Sequence, residues 1–439
     1  MRILTFIATI AVVLNISNLF AWEQRSIIEP ARSEILTYNS DSLYIHNDPS
    51  RSRYMVPLKE WVKDPFCDTL YTAKYTFPME WLNREVLLRI GYADAPYSVE
   101  LNGEVVAHVE NGNTPTEINL TLATAEDINI VGIRLNPNSE MRQLEGWRSS
   151  NRVRGNAPIR GGMVLVPAPM TIRDISTHTT SSNGVFRSRI DVILKSYNLN
   201  DRVSTLHYKL LTDNGKVVAY GNETLKLRMR GEDTVNISTI LPDSTLWSEK
   251  NPELYTLELS LQHEGRFVEY VKKEIGLLKI EVAPDGELSI NDTNTTLKVA
   301  KAGSEITKSE MESLKKRGYN TLHFAAGEHS RELLDMCDRV GLYAIITAPI
   351  NSSRSGDNIM VDGNLTNNPE WLPQYTNRAI NAYHAAKLHP SVIAFAIASK
   401  SLNGYNLYES YLKLKNLGGD LPIIYLEGGD EWNNDNLQF

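Results

Sequence analysis

Cysteine is nearly missing from this 439-residue chain: only Cys67 and Cys337 occur, and they fall in segments that read as different domains. A disulfide scaffold is therefore not expected. Cys337 lies in Leu333-Leu334-Asp335-Met336-Cys337-Asp338 at helical apolar spacing, which predicts a buried structural thiol and not a nucleophile. Long basic runs are also missing, and with a formal net charge of -8 the chain has no electrostatic footprint for nucleic acid. The apolar run Ile3 to Leu14 is too short to span a bilayer. No His-Glu-x-x-His spacing, no Gly-x-Ser-x-Gly elbow and no phosphate-cradling glycine loop occurs, which removes support for a zinc hydrolase, an elbow serine hydrolase and a nucleotide enzyme. No cofactor and no metal is expected.

What is present begins with a charged, an apolar and a polar stretch: Met1-Arg2, Ile3 to Leu14, then Asn15 to Ala21. This is the pattern of a secretory signal cleaved after Ala21, so a secreted or periplasmic protein with no membrane span after cleavage is expected, an N-terminal anchor being the alternative. Asn119, Asn222, Asn236 and Asn364 head Asn-x-Ser/Thr triplets, which matter only in a glycosylating host. An apolar content of 42% is ordinary for a globular chain, and the length suits two to four domains.

From Tyr71 to Leu135 short alternating runs are broken by turns, with Asn102-Gly103 between Tyr97-Ser98-Val99-Glu100-Leu101 and the next run as a hairpin signal. Strand recurrence at intervals of about ten residues points to an antiparallel sandwich. The loop from Asn136 to Gly162 carries Arg142, Arg148, Arg152 and Arg154 around Trp147. A solvated basic loop is the preferred reading over a sugar-contacting one, although long loops in compact domains often serve function. A second all-β segment runs from Met170 to about Gly276, with alternation in Arg189 to Leu194 and Leu254 to Leu259, and suggests an immunoglobulin-like sandwich. From Lys279 strands alternate with helices. Candidate strands are Leu297 to Ala300, Thr321 to Phe324, Leu342 to Ile346, Ser391 to Ile397 and Ile423 to Tyr425; candidate helices are Glu305 to Arg317, Ser330 to Val340, Pro369 to Lys387 and Leu407 to Leu417. This is a chain of β/α units.

The stretch His389-Pro390-Ser391-Val392, running on to Gly404, resembles the fourth barrel strand of glycoside hydrolase family 2, the β-galactosidase, β-mannosidase and β-glucuronidase family. Further likeness lies in Phe77 to Trp81, Asn129 to Leu135, Trp247 to Tyr255, Glu274 to Leu278, Asn320, Cys337-Asp338, Gly341-Leu342-Tyr343 and Tyr425 to Gly429, so that it covers about residues 60 to 430. The resemblance implies a jelly-roll β-sandwich over 22–169, an immunoglobulin-like β-sandwich over 170–278 and a TIM-barrel-like domain over 279–439, after a signal peptide at 1–21. The last segment is shorter than the roughly 250 residues of a complete barrel, so a divergent, C-terminally truncated barrel with two open edges is expected, edges that an oligomer or a partner would cover.

In that family the strand runs into Gly-Asn-Glu-Ser, whereas here it reads Ala398-Ser399-Lys400-Ser401. Retaining glycoside hydrolysis uses two carboxyl groups roughly 5 to 5.5 Å apart. By resemblance the acid/base position is Lys400, the preceding sugar-binding Asn is Ser399, and the nucleophile's strand is not reached, so no catalytic position is intact. The family's Arg-Thr-Ser-His-Tyr-Pro element is here His323-Phe324-Ala325-Ala326-Gly327-Glu328, which loses both the Arg and the His; Thr347 stands where an acid is expected, and no Asn-Arg-His set is visible around Ala300 to Gly303. His323, Thr347, Glu427 and Trp432 are the ligand-contact candidates, although the carboxylates Glu427, Asp430 and Glu431 read more simply as a solvated loop. Three functions stay open: a catalytically impaired, exported carbohydrate-binding relative; an active glycosidase with a reorganised or partner-completed site; and a structural or interaction module of an extracellular glycan system.

Overall fold

The computed structural model of the chain describes residues 28–46, 51–125, 127–148, 157–242, 245–360, 363–425, 427 and 434–437. The expected signal at 1–21 lies outside the described residues. Cys67 and Cys337 are both free thiols, Cys337 buried, and burial pushes its thiol far up. No helix among the described residues is long and apolar enough to cross a membrane.

Alternation in the first segment builds two five-stranded antiparallel sheets facing each other. Their inward residues, among them Leu88, Ile90, Val99, Val131, Ile133 and Val164, form one core. The hairpin forms where Asn102-Gly103 places it, joining Tyr97–Leu101 to Glu104–Val109, and both turn residues have positive φ, 53° and 92°. Such a turn matches the twist of the strands it joins.

The second sandwich has a three-stranded sheet, Met170–Ser182, Val185–Ser196 and Glu232–Leu241, against a five-stranded one. Val185–Ser196 alternates buried and less buried residues along its length, with Phe186, Ile190, Val192 and Leu194 in the core. The five-stranded sheet ends in Thr37–Tyr38, which pairs with Tyr270 and Val271. Two residues from the segment read as the first sandwich thus complete the second one; a strand this short carries no periodicity to read. Between the second sandwich and the last unit, Ile280–Val282, Leu288–Ile290 and Thr293–Asn294 form a small sheet for the same reason unseen in the sequence.

The last unit holds a parallel sheet of β1 (Val299–Ala302), β2 (Thr321–Phe324), β3 (Tyr343–Thr347), β4 (Val392–Ala396) and β5 (Ile423–Ile424), side by side in chain order. Helices α1 (Lys308–Lys316), α2 (Arg331–Val340), α3 (Leu372–Ala386) and α4 (Tyr405–Lys415) connect them. Thr307 and Glu310 form a capping box on α1, and Ser330 caps α2, satisfying N–H groups that a helix start leaves open. Every residue of β3 and β4 is buried. One face of the sheet packs Leu322, Phe324, Ile346 and Phe395 against the helices, and the other gathers Ile345, Ala394, Ala396 and Ile424 with Leu297 and Leu437. At the outer edge of β5, Asp435 N donates to Ile423 O at 2.9 Å, and its carboxylate accepts Ile423 N at 2.7 Å. Asn434 exchanges two bonds with Tyr425, so the chain itself covers this edge at those positions.

Candidate functional site

The C-terminal ends of parallel strands are where such a sheet presents side chains to a ligand. Register places Lys301, His323 and Ile345 opposite one another on β1 to β3, hence on one face, with Thr347 two residues further on. His323 Nε2 and Thr347 Oγ1 are 3.2 Å apart, so these two candidates meet. Thr347 is buried and His323 half-buried. Burial, with Lys301 as a second cause, lowers the His323 pKa, which keeps the imidazole neutral near pH 7. Lys301 is the residue that sequence reasoning passed over. Its signal was a lone charge in the short run Val299-Ala300-Lys301-Ala302.

Past β4, Ser399 N donates to Ile350 O at 2.9 Å, and Ser401 Oγ accepts Ser352 N at 3.0 Å, which ties this loop to the one after β3. Lys400 is exposed with φ at +44°, and its backbone N–H donates to Glu427 Oε1 at 3.1 Å. The structure therefore brings Glu427 to the position expected to carry the acid/base, where the side chain is an amine. Glu427 is exposed. Trp432, Asp430 and Glu431 lie outside the described residues.

The expectation of a solvated basic loop fails for Arg142 and Arg148, which are 1% and 7% exposed. Glu145 Oε2 lies 3.1 Å from Arg142 Nε and 2.9 Å from Arg148 Nε, and Arg148 also donates to Asp94 Oδ1 at 2.6 Å. Arg378 on α3 approaches Glu145 Oε1 at 3.8 Å. Four arginines in one stretch looked solvated because two of their partners, Asp94 and the environment of α3, are distant in sequence. Arg152 and Arg154 lie outside the described residues. Asn364, one of the triplet asparagines, is buried and donates to Ser352 O and Gly356 O, so it is no accessible glycan acceptor in the folded chain.

His389, Pro390 and Asp338 act as scaffold. His389 Nδ1 and Asp338 Oδ2 are 2.7 Å apart, Ser391 N donates to Asp338 Oδ1 at 3.0 Å, and Trp247 Nε1 donates to Asp338 O at 3.0 Å. Gly276 of the second sandwich sits so close that a Cβ would overlap Pro390. Donor atoms of Asp335, Asp338 and His389 lie within 4.8 Å of one another, but Arg331 Nε stands 3.7 Å from Asp335 and already supplies positive charge there. This cluster is at the start of β4, away from the Lys400 end. A cavity of about 620 Å³, lined in part by Ser248, Asn251, Thr296 and Asn320, likewise opens at the starts of the strands.

Residues 300–437 match the model of the TIM barrel domain of glycosyl hydrolases family 2, and residues 170–277 match a second model of glycosyl hydrolases family 2. Together these cover more than half of the chain. A β-galactosidase of Priestia megaterium is 24% identical over 401 residues, covering 84% of this chain and 38% of the relative. One from Leuconostoc mesenteroides is 23% identical over 380 residues, covering 82% and 36%. The chain thus spans a little over a third of the length of these relatives. Among solved structures, the exo-chitosanase of Amycolatopsis orientalis superposes with a TM-score of 0.64 at 16% identity, over 81% of this chain and 44% of that one. The β-D-mannosidase of Dictyoglomus thermophilum gives 0.60 at 17% identity, over 74% and 45%. At such identities these likenesses concern the fold.

Proposed function

Because the chain belongs to glycoside hydrolase family 2, we propose that it is an exported carbohydrate-binding protein whose parallel-sheet end receives a saccharide without retaining hydrolysis. The observation that carries this reading is Lys400. An ammonium is a far weaker general acid toward a leaving oxygen than a carboxylic acid, and its charge repels the oxocarbenium-like transition state. Loss of that group leaves the half-buried Ser399 hydroxyl and a neutral, half-buried His323 that the buried Thr347 hydroxyl holds at 3.2 Å, and Ser399 and His323 suit a polyhydroxylated ligand. The test is hydrolysis of aryl β-galactosides, β-mannosides and β-glucuronides by the purified chain, with saccharide binding measured in parallel by calorimetry. Binding without turnover is expected. Turnover that disappears when one carboxylate is neutralised sinks the reading.

One contact favours a second reading, an active glycosidase with a reorganised site: Glu427 Oε1 lies 3.1 Å from Lys400 N. Under it, Glu427→Gln abolishes the turnover just described; under the first, Glu427→Gln changes no rate. Export rests on the pattern of Met1 to Ala21. An intact mass of the native protein that begins at Trp22 supports it, and one that begins at Met1 does not.

A further inference from the structure

The segment Leu144 to Arg148 leaves the first sandwich and lands on the loops that follow β2 and β3. Gly146 N donates to Asn351 O at 3.0 Å, and Asn351 N donates to Leu144 O at 2.8 Å. Gly146 has no room for a side chain, because Asn351 Oδ1 and Ser353 Oγ occupy that space. Next to it, the Trp147 indole lies over Gly327: a Cβ there would stand 3.2 Å from Nε1 and 3.4 Å from Cζ2. Gly327 is four residues beyond His323, at the same end of β2 as the His323–Thr347 pair.

This placement is held by an expensive device. Asp94, Arg142, Glu145, Arg148 and Arg378 are all buried, and each buried charge carries a desolvation penalty that a plain apolar contact would avoid. The Asn113 side-chain amide donates a hydrogen bond to Glu145 Oε1 at 2.7 Å, and Arg354, from the loop after β3, donates to Arg142 O at 3.1 Å and to Arg148 O. The cluster holds Glu145 and Arg148 on either side of Gly146 and Trp147, and the Trp147 side chain between them is half-buried. A rigid aromatic group at a polar site offers contact area at little entropic cost, and its π-face accepts the apolar C–H face of a sugar ring.

Resting on the carbohydrate-binding reading above, we propose that Trp147 is a stacking platform for a pyranose ring, held in place by the Glu145 cluster, with half-buried His323, which the buried Thr347 hydroxyl holds at 3.2 Å, at the same end of β2 to meet the ring's hydroxyls. The ligand class is therefore a pyranoside with one apolar face, and the first sandwich contributes to the site on the parallel sheet.

The experiment titrates the full chain, Trp147→Ala and Trp147→Phe with a panel of neutral and acidic oligosaccharides, reading affinity by calorimetry and folding by thermal unfolding. Trp147→Ala is expected to weaken binding by about tenfold or more, as the loss of an aromatic anchor does, with the Phe variant intermediate. Saccharide should also shift the emission difference between the full chain and Trp147→Phe to shorter wavelength, a readout that does not need the Ala variant to fold. Equal affinity of the full chain and the Phe and Ala variants, with no emission shift, overturns the platform while leaving the carbohydrate reading intact. No binding of any saccharide by the full chain overturns both.

Discussion

Glu269 is a carboxyl group placed where water does not reach. It is 0% exposed on the strand Arg266–Ile275, accepting Ile172 N and Thr171 Oγ1, each at 2.6 Å. Burial pushes its pKa up from 4.5 to about 7, against the smaller lowering by those two hydrogen bonds and by Arg84. The folded chain therefore binds the proton more tightly than the unfolded one. That contribution is full below pH 4.5, falls as pH rises to about 7 and stays lost above it. Glu269→Gln keeps an acceptor for Ile172 and removes the ionisation. We expect it to stabilise the chain at pH 8, by up to about 3 kcal/mol, and to leave stability at pH 4 nearly unchanged. Urea unfolding of both proteins across that range checks this; an equal difference at every pH would show that the carboxyl does not titrate there.

Helix α2 shows how far an element can be read from its residues and where reading stops. Its start is legible, since Ser330 is the cap and Arg331 the first helical residue, and so is its end at Gly341, whose φ of +74° a glycine adopts without strain. The partners at that end are not legible. A Cβ on Gly341 would stand 2.6 Å from Glu249 O and 2.7 Å from Lys315 Nζ, contributed by the second sandwich and α1. Gly341→Ala should therefore cost about 2 kcal/mol or more, beyond the ~1 kcal/mol expected for Thr307→Ala at the α1 cap, where no neighbour is displaced. Equal losses in chemical denaturation would mean that the packed end relaxes freely. The same division runs through the site. Thr321–Phe324 is a strand as its apolar run suggests, and the contact candidates His323 and Thr347 do meet, because side-chain period is local to each strand and consecutive strands of a β/α chain pair in parallel as neighbours. The fate of Arg142 and Arg148 was hidden, because burial depended on Asp94 and Arg378, which only the tertiary fold brings near. Thr37–Tyr38 and the small sheet around Leu288 were hidden because strands of two or three residues carry no pattern.

At the scale of the molecule, the units are joined through carboxylates that must stay ionised. Asp174 of the second sandwich, fully buried, lies 2.7 Å from Lys387 Nζ just past α3 and 3.7 Å from Arg32. Glu117 of the first sandwich meets Arg173 of the second at 2.6 Å and its own Arg89 at 2.7 Å. Burial alone would raise both carboxyls, but Lys387 on Asp174, and Arg173 with Arg89 on Glu117, hold them below their ordinary values. His384, driven to about 3 by burial and then by Lys387, stays neutral beside Asp174 and adds no cation. A depressed carboxyl stabilises the folded chain above its unfolded pKa, and that stability is lost as pH falls through the folded value. Docking should hence weaken below about pH 4, the ordinary range of Asp and Glu. Asp174→Asn imposes the same loss at neutral pH and leaves Lys387 buried without its anion, at a cost of about 3 kcal/mol or more. In the Asn variant the acid-induced part of the unfolding curve assigned to Asp174 should be gone, so that variant and parent converge as pH falls. If the parent and Asp174→Asn differ by the same amount at pH 3 and at pH 7, the ion pair is not what makes the joined units sensitive to acid.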